Sequence, residues 1–314
     1  FKDDTALELT LENFLEYHNL SLVDFYGKSK DRSFYRMCVL ADISADFNDT
    51  NEEEITKKLY NLLFINSRRF IEFIINLIKN NSNINNVEFN KEEALMLNMM
   101  YYIFYNDAPK KVGLSSLKQG INRLLNNKTM MKEVCEILTY NYKHLEFIDK
   151  KVELGYECPL DLHCDYSTDV IMAAFGYYNE DKKPAFREGV KYFEDKKTDI
   201  FFITLNKSDK DFSPSTLYED YAINEKLFHW QSQSRTSVES PTAQRYINHR
   251  LTNNKIALFV REYKERDGLT SPFTYLGTCE YKSHTGNKPI SFVWELHEEI
   301  PAKLINKANK SIVI

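Results

Sequence analysis

Glycine and proline are unevenly distributed along this chain, and that asymmetry constrains its fold most. Of 9 Gly and 8 Pro, only Gly27, Gly113, Gly120 and Pro109 fall in residues 1–150; the other 13 lie beyond. Both residues are disfavoured in helix interiors and needed in tight turns. The distribution therefore predicts a helical first half and a turn-rich second half, a two-part chain divided near residue 150.

Periodicity supports the division. Across 51–79, Ile55, Leu59, Leu62, Leu63, Phe70, Phe73, Ile74, Leu77 and Ile78 recur at helical spacing, with Asn51 and Glu54 as an approximate capping box. An Asn-rich break follows. Asn90 and Glu93 then open a helix carrying Ala94, Leu97, Met100 and Tyr101, and another follows Thr129. Shorter helices are expected over 5–18, 33–41 and 114–125, giving an all-α region over 1–150 whose Met and aromatic stripes form core.

Beyond 150 the period changes. The runs 199–205, 255–260, 272–277 and 289–296 are short and β-rich, and the last alternates Ile290, Phe292, Trp294 and Leu296 with polar or small residues. Ser240-Pro241-Thr242 caps a helix to about Arg250, and another is expected over 169–177. The expected fold class is α+β, an all-α region followed by a small curved sheet or partly open barrel with flanking helices.

Charge and motifs exclude several functions. The 314 residues carry 41 Lys and Arg against 46 Asp and Glu, a net −5 that argues against a global nucleic-acid-binding field. No 18-residue apolar run exists, so no membrane partner is expected. Cys38, Cys135, Cys158, Cys164 and Cys279 are odd in number and scattered, which points to a reducing, cytoplasmic setting. The start at Phe1-Lys2-Asp3-Asp4 is read as the beginning of a piece of a longer polypeptide. Gly27-Lys28-Ser29 is preceded at the fifth position by Leu22 rather than Gly, so no phosphate loop is present. Cys158, His163 and Cys164, with His144 upstream, match no common zinc spacing. His229 beside Ser232 and Ser234 lacks an evident orienting carboxylate for nucleophilic chemistry. No catalytic residue, metal ligand or bound cofactor is assigned to these residues.

The unusual segment is Leu227–Arg245, where Phe228, His229 and Trp230 directly precede Gln231, Ser232, Gln233, Ser234 and Arg235. Amides read base edges, hydroxyls and Arg hold phosphates, and rings stack bases, although a polar loop with core aromatics would use the same residues. Across 226–290, ten cations face five anions, a local +5 inside a chain of −5.

The order of segments adds a resemblance. The stretches from Arg187 to Ser234, Ser240 to Arg250, Ile256 to Glu262, Pro272 to Leu296 and Ile300 to Leu304 resemble the C-terminal region of the SauUSI-type family. These are modification-dependent (type IV) restriction enzymes that join a phospholipase D-like nuclease to a superfamily 2 helicase. The resemblance covers about 155–314, with 1–150 similar to the helical coupler before it. It implies an SRA-like (PUA-like) domain at 151–314 that binds 5-methylcytosine, or 5-hydroxymethylcytosine, in double-stranded DNA by base flipping. It also implies a bacterial cytoplasmic enzyme whose helicase and nuclease domains, with ATP and Mg²⁺, belong to the parent polypeptide.

A flipped cytosine needs flat walls, groups for its Watson–Crick edge and room for a methyl. On that implication, Tyr218, Tyr221, Trp230 and Tyr275 are candidate walls, and Asp220, Gln231 and Gln233 candidate edge partners. Ser232 would leave methyl space, and Arg235, Arg245, Lys282, Ser283 and His284 are candidate backbone or groove contacts. Burying a methyl contributes only about 0.8 kcal/mol, so discrimination also requires exclusion or shape. Two other classes stay open: an interaction module linking motor to nuclease, and an RNA-binding PUA-like domain.

Overall fold

A computed structural model describes residues 8–27, 29, 31–206, 220–302, 304 and 305. Its first part is helical. The helices are α1 (Leu11–Tyr17), α2 (Phe34–Leu40), α3 (Glu52–Thr56), α4 (Arg68–Asn80), α5 (Lys91–Phe104), α6 (Leu117–Leu125) and α7 (Lys128–Lys143). The capping box at Asn90 and Glu93 forms as expected, and Met96, Met99, Met100 and Tyr101 are buried in core. Gly120 lets α6 approach α5, because a Cβ there would lie 2.7 Å from the Tyr101 ring.

The expected helical run over 51–79 is broken. Asn51 makes no side-chain cap, and its N–H instead donates to Asn127 Oδ1 at 2.8 Å. α3 stops at Thr56, a short 3-10 turn follows at Leu59–Leu62, and Ser67 restarts the helix by accepting from Phe70 N at 3.2 Å. Hydrophobic spacing continued across the break because the turn buries its leucines too.

One buried carboxylate ties three elements together. Glu133 on α7 accepts from Tyr26 Oη at 2.8 Å, Ser33 Oγ at 2.6 Å, Phe34 N at 2.6 Å and Tyr35 N at 3.3 Å. It thereby caps α2 with a side chain from another helix. Burial pushes its carboxyl above the ordinary range, and the four donors oppose that shift.

The second part is a mixed sheet with two further helices, α8 (Thr168–Ala174) and α9 (Pro241–Ile247), each capped by the serine before it. Its strands include two pairs of two-residue strands, β1 (Lys150–Lys151) with β2 (Asp161–Leu162), and β9 (Glu265–Arg266) with β10 (Leu269–Thr270). The main sheet comprises β3 (Asp165–Tyr166), β4 (Val190–Phe193), β5 (Thr198–Thr204), β6 (Tyr221–Ala222), β7 (Leu227–Gln231), β8 (Lys255–Arg261), β11 (Phe273–Thr285) and β12 (Ser291–Leu296). Strand order is β4-β5-β8-β11-β12-β7-β6, with β3 on the start of β11. Among the described residues only β5 and β8 pair in parallel. Among the described residues the path stays open, with β4 and β6 at its ends. The fold is α+β.

Strand β11 is longer than the expected run over 272–277. It pairs first with β8 and then with β12, and the register slips between Tyr275 and Thr278, where Gly277 adopts φ +80°. A left-handed residue at a bulge bends the strand, which lets one strand serve two partners.

Burial explains the parallel pair. β5 and β8 are almost wholly buried, as strands covered on both faces must be. One face, with Ile200, Ala257, Phe259, Phe273 and Tyr275, joins the core of the helical region. The other, with Phe201, Ile203, Leu258 and Val260, builds a second core with Trp230, Tyr246, Phe292 and Trp294. A boundary near 150 separates helices from strands but not one core from another.

Candidate nucleic-acid interface

The register decides which candidate residues share a surface. On β7, Phe228 and Trp230 are buried while His229 and Gln231 are half-exposed; on β12, Phe292 and Trp294 are buried while Ser291 and Val293 are half-exposed. His229 stands opposite Val293 and Tyr221, and Gln231 opposite Ser291. Ser283 and Thr285 of β11 stand opposite Val293 and Ser291, so the outer face continues across three strands.

On this face Tyr221 stacks on His229, with centroids 4.6 Å apart and planes 15° from parallel. Gln231 Nε2 donates to Ser291 Oγ at 3.2 Å, and Gln231 N donates to Asp220 Oδ1 at 2.9 Å. Asp220, just before β6, is buried and serves the backbone at the end of β7. Around the face, Gln233, Arg235, Lys282, Ser283 and Lys288 are exposed.

The candidate wall residues do not assemble. Trp230 lies in the second core, stacked on Phe201 at 4.3 Å and near Phe292 and Tyr246. Tyr275 lies in the first core, stacked on Phe259 at 4.7 Å, with burial pushing its hydroxyl far above the ordinary range. The sheet separates them, so they cannot sandwich one base. Tyr218 falls outside the described residues.

Ser232 is also structural. It is buried, its Oγ accepts from Ile290 N at 2.9 Å and donates to Gln233 O at 3.2 Å, and its N–H donates to Ile290 O at 2.9 Å. These bonds pin the β7 end to the β11–β12 hairpin and leave it no free role beside a methyl. His284 points to the core side, its Nδ1 2.6 Å from Tyr281 Oη, while Ser283 and Thr285 face outward within β11.

Arg245 requires a correction as a phosphate contact. Its Nε and Nη2 donate to the two carboxylate oxygens of Asp199, both at 2.8 Å, and its guanidinium lies 3.9 Å from the Tyr192 ring centroid. Asp199 is buried, so this fork satisfies a charge the core otherwise strands. Arg245→Ala is expected to lower stability by about 3 kcal/mol in urea unfolding, with Arg245→Lys recovering part of it. Unchanged stability would make the pair dispensable.

The local charge shrinks accordingly. Asp199 and Glu295 lie outside 226–290, yet they neutralise Arg245 and Lys282. Among the described residues, these two pairs offset two of the net five charges. Exposed Arg235 and Lys288 remain beside the outer face.

Sequence reasoning overlooked His229 as a stacking partner, as well as Ser291 and Thr285. Alternation along 227–231 places His229 opposite in sense to Trp230, a signal present in the sequence, but which strands lie beside β7 is set by long-range pairing. Among the described residues, no cluster of three or more His, Cys, Asp or Glu is arranged to hold a metal ion. The five cysteines are buried free thiols. No described helix is long and apolar enough to cross a membrane.

No curated protein matches the chain. Residues 160–308, which span β2 through β12 and both α8 and α9, are similar to a family described as a domain of unknown function, DUF3427.

Proposed function

We propose that the C-terminal region binds duplex DNA through the outer face of β6, β7, β12 and the end of β11, and reads 5-methylcytosine there. The observation that carries this reading is the solvent-facing Tyr221–His229 stack beside the Gln231–Ser291 pair, with exposed Arg235 and Lys288 at its margin. Stacked rings offer a flat surface to a base or sugar, a side-chain amide offers both a donor and an acceptor, and cations hold phosphates. The segment resemblance supplies the methylcytosine and the expectation of an SRA-like domain. ATP-driven translocation and Mg²⁺-dependent cleavage, on this reading, belong to helicase and nuclease domains of the same polypeptide and use no residue described above.

Equilibrium binding to unmethylated, hemimethylated and fully methylated duplexes tests it. Methylated duplexes are expected to bind more tightly, and equal affinity for all three at physiological salt would overturn methyl reading. Tyr221→Ala with His229→Ala is expected to weaken duplex binding about tenfold, as loss of a stacking platform costs about 1–3 kcal/mol. Arg235→Ala is expected to weaken every duplex alike and to lower the salt slope by about one.

A further inference from the structure

An open groove of about 430 Å³ runs between α4 and the segment that leads into α5. Its floor is apolar. Leu77 and Met96 are buried beneath it, and Phe73, Val87 and Phe89 are half-exposed in it. Phe73 and Phe89 meet edge to face with centroids 6.3 Å apart, which fixes the shape of the floor.

One wall is a polar stripe of α4. Glu72, Asn76 and Asn80 follow at four-residue spacing, so they stand in a row along one helix face, and all three are exposed. The side-chain amides of Asn76 and Asn80 make no hydrogen bond among the described residues. A carboxamide both donates and accepts, the combination that pairs with the C=O and N–H of a peptide unit. Four helical residues rise about 6 Å, close to the roughly 6.6 Å between every second residue of an extended chain. Asn76 and Asn80 are therefore spaced to meet alternate peptide units of a strand laid along α4.

The uncompensated charge of the groove is negative. Arg69 lines it but is held by Asp161 and Glu92. Glu72 Oε1 accepts from the Tyr142 hydroxyl at 2.8 Å and Glu93 Oε2 from Asn90 N at 2.9 Å. Each leaves its second oxygen without a hydrogen bond among the described residues. Such a rim attracts a Lys or Arg side chain and repels a phosphate backbone.

We infer that this groove docks an extended peptide segment carrying an apolar side chain and a lysine or arginine. The apolar side chain packs on Phe73, Val87 and Phe89, alternate peptide units bond to Asn76 and Asn80, and the cation reaches Glu72 or Glu93. The inference stands apart from the outer-face reading, since it uses none of its residues.

The test selects a phage-displayed library of random dodecapeptides on the immobilised full chain at physiological salt. Enriched peptides are then synthesised and titrated by calorimetry and amide NMR. They are expected to share Lys or Arg beside a large apolar residue and to shift resonances at 72–81 and 87–96. Asn76→Ala with Asn80→Ala is expected to weaken them about tenfold, and Glu72→Lys about fivefold. Neither variant is expected to lower the melting temperature, because all three side chains are exposed. N-methylation of alternate backbone amides in the peptide is expected to abolish binding, which contacts through side chains alone would survive. The inference is overturned if no peptide is enriched, if the enriched peptides carry no cation, or if both variants bind them as wild type does. It is equally overturned if a DNA duplex, rather than the peptides, shifts these resonances. A dimer in sedimentation that these substitutions dissociate also overturns it, because a second copy then occupies the groove.

Discussion

Trp230→Ala is expected to destabilise the protein by about 3–5 kcal/mol in urea or thermal unfolding, the range for truncating a large core aromatic. Trp230 is only 6% exposed and stacks on Phe201 at 4.3 Å, with Phe292 and Tyr246 also in ring contact. Its removal opens a void between β5, β7, β12 and α9, where the surrounding strands are hydrogen-bonded on both sides and cannot collapse inward. Any loss of DNA binding in this variant would therefore follow the loss of fold. The discriminating result is binding measured where the variant is still folded, which is expected to be near wild type. A stable Trp230→Ala protein with specifically abolished duplex binding would return Trp230 to the recognition surface.

Glu133→Ala is expected to cost about as much, 3–5 kcal/mol, and for a different reason. Truncation leaves Tyr26 Oη, Ser33 Oγ and the amides of Phe34 and Tyr35 without their acceptor in a region closed to water. An unsatisfied buried donor costs about 1–3 kcal/mol, so several together dominate the loss of any packing contact. Glu133→Gln keeps one acceptor oxygen and is expected to cost about half as much. Chemical denaturation of the three proteins side by side checks the order. Equal stability of Glu133→Ala and wild type would show that α2 does not depend on this cap.

Joining of the two parts rests on a similar device. Asp161 of β2 is buried and accepts from Ser67 Oγ at 2.6 Å and Arg69 Nη2 at 2.7 Å, so the restart of α4 is bonded directly to the sheet region. Asn98 of α5 donates to the carbonyls of Ala173 and Tyr178 at 3.0 and 2.6 Å, holding α8 against the helical part. These bonds sit over a continuous apolar core, and they make the helical part a support for the sheet rather than a tethered neighbour.

Local chemistry made much of this legible. Ser and Asn caps at residues 90, 167 and 240 began helices where a side-chain oxygen satisfies the first free N–H groups. Alternation in 289–296 marked β12, and scarce Gly and Pro marked the helical half. The break at 57–67 was hidden because its leucines and isoleucine are buried as a helix stripe would be. Among the candidate site residues, Tyr221, Gln231, Gln233, Arg235, Lys282 and Ser283 reach the surface, while Trp230, Ser232, Arg245 and Tyr275 serve the interior.

The sequence by itself determined the α+β division, most helix starts and the segments of β5, β8, β12 and the start of β11, because caps, turns and periodicity act within a few residues. Only the tertiary structure decided that one core crosses the boundary, that Trp230 and Tyr275 lie on opposite sides of a sheet, and that Asp199 claims Arg245 across 46 residues. Those outcomes depend on strand order and on charge pairing between distant segments. A side chain's type does not encode which face of the sheet meets solvent; the partner strand does.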